Sequence, residues 1–263
     1  MTDAPLEYWF IKLHAGELAF LVDFIVRRTT GEAEVRVSLW VRGAGRVARS
    51  VTPEWSTASG VVIGECRFGA DHTAGACEDI TWDLRYDPGP ARAAPGVPLL
   101  GRAFDMSLVS RPTAVFDGHV VVAGERFDVA AAAGSVTHYW GRRLPDRWHW
   151  ISARPGPVLE GVLMRTRLWG ARPALTVGYL WMTEAGRERM VVSPLTGLIA
   201  RAGTRTEYTL TARGPGGTIR LRCHAPSDRY NDLGEGIHQT LLGTCEILGR
   251  GLVDPRAGLE YRG

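Results

Sequence analysis

Lysine is almost missing from this 263-residue chain: Lys12 stands alone among 31 basic residues, leaving 30 arginines. The arginines are scattered, with pairs such as Arg27-Arg28 and Arg142-Arg143 but no long basic run, and the formal net charge is only +3. That is not the electrostatic footprint of a nucleic-acid-binding surface, and the expected partner is a small molecule, with no nucleic acid involved. Cysteine is sparse as well. Cys66, Cys77, Cys223 and Cys245 form no C-x-x-C pair and have no histidines at zinc-ligand spacing, so a structural metal is not expected. Cys66 and Cys77 would suit a disulfide in an oxidising compartment. The N-terminal "MTDAPLEYWFIKL" reads as folded protein without a signal peptide, which points to four reduced thiols and a cytoplasmic location. Long apolar runs are missing too: the longest, "LAFLVDFIV", is interrupted by Asp23 and too short to cross a bilayer, so no transmembrane segment is expected.

Helical periodicity is equally scarce. Alternation with period two dominates instead, the mark of strands with one buried face. In "EVRVSLWV", Val35, Val37, Leu39 and Val41 share one side, and Arg36, Ser38 and Trp40 the other; "DITWDLRY" and "GTIRLRCHA" repeat the plan. Glycine-centred turns such as "RTTGE", "RGAGR", "AGERF" and "RGPGGT" separate the runs at hairpin distances. An all-β, antiparallel fold with a wet outer face follows, with at most one short helix around "SDRYNDLGEGIHQTLL". The proline-rich loop "YDPGPARAAPGVPLLGR", Tyr86 to Arg102, is long enough to cover a cavity mouth. A second break at "ARPGPVLEG" divides the chain near residue 156, giving two β domains, 1–155 and 156–263.

The catalytic motifs of several enzyme classes are absent. There is no G-x-S-x-G elbow and no triad context for Ser152, no G-x-G-x-x-G after a strand, and no P-loop, since "RGPGGT" joins two strands. Nucleophilic hydrolysis and nucleotide, nicotinamide or flavin chemistry are disfavoured, and no cofactor is expected.

The densest chemistry lies in "HYWGRRLPDRWHWISARP", His138 to Pro155. Alternation puts His138 with Trp140 on one strand face and Tyr139 on the other; in the next strand Trp148, Trp150 and Ser152 oppose His149 and Ile151. Joined as a hairpin, the two would present an aromatic wall, suited to a conjugated or cationic ligand, though tryptophans also fill cores. His138 is the most attractive proton-transfer group; a structural, hydrogen-bonded histidine is its alternative. Asp23, in an apolar run, is either a general acid with a raised pKa or half of a salt bridge to one of the arginines. Glu7, on the face of Trp9, and Asp83, beside Trp82, pose the same question.

Three segments together resemble a known family. "LEYWFIKL" near the start, "HYWGRRLPDRWHWISA" in the middle, and "TLLGTCEILGRG" with "GLEYRG" at the end are similar to the opening strand, the Trp-Gly, Pro, Trp-x-Trp signature and the closing strands of the tocopherol cyclase and carotenoid 1,2-hydratase-like lipocalin-fold proteins, which include natural-product Diels-Alderases. Where cyclase-like members tend to carry acidic or lysine residues before the Trp-Gly, this chain has Thr137, His138 and Tyr139. The resemblance implies two consecutive lipocalin-like antiparallel β-barrels or half-barrels, a hydrophobic cavity, no metal or redox cofactor, and cyclisation, hydration or pericyclic rearrangement of a polyene or isoprenoid-like compound. The expected catalytic residues are His138, Tyr139, Asp23 and Glu7, and the expected substrate-binding residues Trp9, Trp82, Trp140, Trp148 and Trp150. A non-catalytic carrier of a hydrophobic ligand is the competing expectation.

Overall fold

The computed structural model describes residues 4–58, 60–93, 106–167 and 174–263. Two compact units divide them: residues up to Ala93 together with those from 106 to Arg143, and residues from Leu144 to Gly263. In the first, the strands are β1 (Leu6–Ala15), β2 (Leu18–Arg27), β3 (Glu32–Val41), β4 (Ala44–Thr52), β5 (Trp55–Ser56), β6 (Val61–Ile63), β7 (Cys66–Phe68), β8 (His72–Cys77), β9 (Ile80–Asp87), β10 (Arg92–Ala93), β11 (Met106–Val122) and β12 (Glu125–Gly141). The second holds β13 (Arg147–Ala153), β14 (Val158–Arg167), β15 (Ala174–Glu184), β16 (Arg187–Ser193), β17 (Leu198–Gly203), β18 (Glu207–Gly214), β19 (Gly217–His224), β20 (Asn231–Gly234), β21 (Ile237–Ile247) and β22 (Leu252–Arg262).

Both sheets are antiparallel meanders that return on themselves. The order β4-β3-β2-β1-β12-β11-β9-β8-β7-β6-β5 ends on strands that follow one another in the chain, and so does β16-β15-β14-β13-β22-β21-β19-β18-β17. First and last strands of each unit therefore pair, β1 with β12 and β13 with β22, and each sheet curls into a nearly closed barrel, leaving few unpaired strand edges. The expected helix resolves into a 3-10 turn at Ser227–Arg229 followed by β20 and β21. No helix among the described residues is long and apolar enough to cross a membrane.

The pairing corrects the hairpin expected across His138 to Trp150. β12 bonds only within the first sheet and β13 only within the second, so "GRRLPDR" carries the chain from one sheet to another, and the units part between Arg143 and Leu144 rather than near residue 156. Alternation reveals which side chains share a face; it carries no information about which strand lies alongside.

Each barrel has its own core. Trp9, Ile11 and Leu13 of β1, Phe20, Val22 and Phe24 of β2, and Trp82 and Leu84 of β9 fill the first. Ile151, Leu163, Leu180, Tyr208, Leu221 and Leu259 belong to the second. The wet outer face holds for β9, whose burial alternates residue by residue from Ile80 to Asp87. It fails for β2 and β3, buried on both faces. There the outward Asp23 and Arg36 are 0% and 3% exposed and neutralise each other, which lets a strand with charged alternate positions sit away from water.

Candidate active site

A cavity of about 290 Å³ opens beside the core of the first barrel, lined by aromatic and apolar side chains, among them Trp9, Phe68, Tyr86, Val136 and Trp140, and by the polar Arg111 and His138. Strand geometry explains the composition. Trp9 on β1 is in register with His138 on β12, and residues two apart on β12 share a face, so Val136, His138 and Trp140 all turn the same way. The His138 imidazole lies flat against Trp9, with ring centres 4.6 Å apart and planes 8° off parallel, and Trp140 covers it at 4.6 Å and 35°.

Between the two indoles, the edge of the imidazole meets a carboxylate. His138 Nε2 lies 3.3 Å from Glu7 Oε2, and Glu7 is 1% exposed. The other oxygen of Glu7 accepts a 2.7 Å bond from Arg28 Nη2, and Arg28 also reaches Thr57 Oγ1 at 3.2 Å and lies over Trp55 at 5.0 Å. Glu7 is thus a buried carboxylate neutralised by arginine, and its bond to Nε2–H leaves the imidazole lone pair on Nδ1. Burial pushes the His138 pKa below its ordinary value against the opposing pull of Glu7, so near neutral pH the ring is uncharged and able to accept a proton. Arg111 donates to the Gly89 carbonyl at 2.7 Å, and Tyr86 to the Gly69 carbonyl at 2.5 Å; both fix the cavity wall.

Of the expected residues, Glu7, Trp9, His138 and Trp140 meet here. The others do not, each for a definite reason. Tyr139 alternates to the opposite face, where its hydroxyl donates to the Arg143 carbonyl at 2.5 Å. Asp23 likewise faces away from the core on β2; Arg36 Nε donates to it at 2.9 Å and Arg36 Nη2 to Tyr8 Oη at 2.8 Å. Burial raises the Asp23 pKa while Arg36 draws it down. Asp23 thus shows features of both readings, a net raised pKa and a salt bridge to Arg36, but on the face away from the cavity. Trp82 is core, with Nε1 donating to Thr73 Oγ1 at 3.1 Å, and Asp83 is exposed and paired with His72 at 2.9 Å. Trp148 and Trp150 belong to the second unit, on the β13 face opposite the core residues Ile151 and Ala153; Trp148 Nε1 donates to Glu260 Oε1 at 2.6 Å.

Sequence reading missed Arg28, Arg111, Phe68 and Pro88. Arg28 follows the end of β2 and meets Glu7 only through the β1–β2 register, which pairs Leu6 with Arg27; no local pattern announces it. Pro88 is in the proline-rich loop that was expected near a cavity mouth and does line the cavity, while that loop from residue 94 onward lies outside the described residues.

This barrel architecture has solved counterparts. A Nitrosomonas europaea protein described as an AttH candidate superposes with a TM-score of 0.69 at 15% identity, covering 99% of this chain and 93% of that one. Kievitone hydratase from Nectria haematococca does so with a TM-score of 0.68 at 12% identity, over 98% and 88%. The likeness is that of a lipocalin-like barrel fold. At such identities it extends to fold alone. In sequence, two uncharacterised Mycobacterium tuberculosis proteins, from strains CDC 1551 / Oshkosh and ATCC 25618 / H37Rv, are 29% identical over 192 residues, 69% of this chain. The chain spans about half the length of these curated relatives, 55% of each. No protein-family model matches it.

Proposed function

We propose that the chain is an enzyme that binds an apolar, conjugated or isoprenoid-like small molecule in the cavity of its first barrel and cyclises or rearranges it, with His138 as the proton-transfer group. The observation that carries this reading is the Glu7–His138 pair at the cavity wall, a hydrogen-bonded polar pair set in a mostly apolar, aromatic lining. Glu7 and Arg28 hold the imidazole; Nδ1 takes a proton from one carbon of the substrate and returns it to another, so the product keeps the substrate's mass. The negative charge left on the substrate by that proton transfer is delocalised along its conjugated chain, and Trp9 and Trp140 supply the apolar, ring-shaped wall against which it packs. For a pericyclic variant of the reaction, holding the reacting ends together supplies the main gain, worth about 7–11 kcal/mol in favourable cases, and a hydrogen bond polarises the substrate. About 290 Å³ is near the lower end of ligand pockets, roughly 300–1,000 Å³, which suits one ring or one end of a longer chain.

Hydration is the second reading, favoured by the uncharged state of His138 and by the fold shared with a hydratase. Here Nδ1 takes a proton from water as its oxygen bonds to one carbon of a double bond, and the proton then passes to the neighbouring carbon. Mass spectrometry after incubation with an apolar metabolite extract separates the outcomes. A product of unchanged mass and altered retention supports cyclisation or rearrangement, and a gain of one water supports hydration. Compounds that co-purify and return unaltered would establish the carrier instead. In the His138→Ala protein, kcat/KM is expected to fall by about 10²–10⁴-fold with ligand affinity changed only a few-fold; undiminished turnover would remove His138 from the mechanism.

A further inference from the structure

The second barrel repeats, at the matching place in its own topology, the ring-on-ring arrangement that forms the wall of the first cavity. In the first unit Trp9 near the start of the first strand faces His138 near the end of the last strand. In the second, His149 near the start of β13 faces Tyr261 near the end of β22, with ring centres 6.2 Å apart and planes 27° off parallel. His238 on β21 stacks on the other flank of Tyr261 at 5.0 Å, and Tyr230 meets it edge-on at 5.2 Å. Tyr208 of β18 packs against His149 at 5.0 Å, and the Arg201 guanidinium lies over Tyr208 at 5.0 Å. These side chains share the face of the second core, since His149 alternates with Ile151, Arg201 with Ile199, and Tyr261 with Leu259.

What sets this cluster apart is its unspent hydrogen bonding. Among the described residues, His149 Nε2, Tyr208 Oη, Tyr230 Oη and Arg201 Nε are buried and have no partner. Tyr208 is 2% exposed, whereas His149, Tyr230, His238, Tyr261 and Arg201 are half-buried, so the cluster extends from partly exposed side chains to a fully buried one. Unpaired buried polar atoms are rare in folded proteins, and three of these four, Tyr208 Oη, Tyr230 Oη and Arg201 Nε, are donors gathered in one ring-lined cluster, an arrangement that suits an acceptor. The tyrosine hydroxyls keep their protons at neutral pH, because burial raises both pKa values. None of the four atoms is a carboxylate, and Arg201 contributes a positive charge.

We infer that the second barrel carries a ligand site of its own for a small aromatic or conjugated acid, its ring lodged beside the cluster of His149, Tyr230 and Tyr261 and its carboxylate accepting from Tyr208, Tyr230 and Arg201. The site is independent of the reading given for the first cavity. Isothermal titration of the full chain with benzoate tests it, with benzamide as the uncharged counterpart. The expected result is one saturable site, at least tenfold weaker for benzamide, at least tenfold weaker for benzoate in Tyr208→Phe and in Arg201→Gln, and unaltered in His138→Ala. Thermal melting separates a binding role from a structural one: if Tyr208 Oη lacks a partner in the free protein, Tyr208→Phe leaves Tm unchanged or raised. No benzoate binding at millimolar concentration, or binding lost in His138→Ala but kept in Tyr208→Phe, would overturn the inference. A lowered Tm with undiminished affinity would do so as well, since the hydroxyl would then serve a structural water network.

Discussion

His138 is neither exposed nor sealed. Its side chain is 28% exposed, open enough to meet a ligand and buried enough for its charged form to be disfavoured. Because burial lowers its pKa, the proposed base is active above a midpoint below the ordinary 6.5, and kcat/KM should rise with pH through that midpoint to a plateau before neutrality. A flat profile from pH 4 to 8 would contradict a basic His138. Glu7 pulls the other way on the same proton, so Glu7→Gln should shift the limb to still lower pH. It should also reduce kcat/KM, by up to about 10⁴-fold if the tautomer is lost as it is when a triad's carboxylate is amidated. Glu7 and His138 were both legible in the sequence as candidates, each beside a tryptophan at the right alternation. That they touch was not, because 131 positions separate them and only the β1–β12 register brings them together.

At the level of strands, faces were predictable and neighbours were not. Alternation placed Trp9 with Glu7 and His138 with Trp140 correctly, and it separated Tyr139 from them, yet chemical type alone still made Tyr139 and Asp23 attractive. The Asp23–Arg36 pair spans β2 and β3 at register partners, away from the cavity. Asp23→Asn should therefore destabilise the fold by about 3–5 kcal/mol, by leaving Arg36 buried without its counter-charge, while specific activity per folded molecule stays within a few-fold; urea unfolding combined with turnover would show both. The long strands β11 and β12 bend where their register shifts between Phe116 and Gly118. Gly118 has φ +136°, and a Cβ there would lie 2.1 Å from the Asp83 carbonyl oxygen. Gly118→Ala should then lower stability by at least about 1–3 kcal/mol, read as a drop in Tm; an unchanged Tm would mean that the bulge relaxes freely.

For the molecule as a whole, acid stability reports on both barrels. Burial and the nearby Arg201 and Arg205 push the His149 pKa down to about 3, while an unfolded chain would hold its histidines near 6.5. Between those values the unfolded state binds a proton that the folded state does not. Stability contributed by neutral His149 is therefore complete above about pH 6.5 and declines as pH falls toward 3, with His138 adding to the upper part of the same window. Tm should decline across that range, and less steeply in His149→Phe; identical slopes would show that His149 titrates as if exposed. What the sequence determined by itself is what a strand determines locally: the all-β class, the alternation that sorts each side chain to one of two faces, the glycine turns, and the absence of nucleotide, triad and zinc motifs. What only the tertiary structure decided is adjacency. Closing each meander joins first strand to last, and that long-range pairing puts Glu7, Arg28 and His138 at one cavity wall, assigns Trp148 and Trp150 to another barrel, and places His149 with Tyr208 and Tyr261. Side-chain direction follows from a few residues of backbone, whereas partner strands are selected by the burial of the entire sheet.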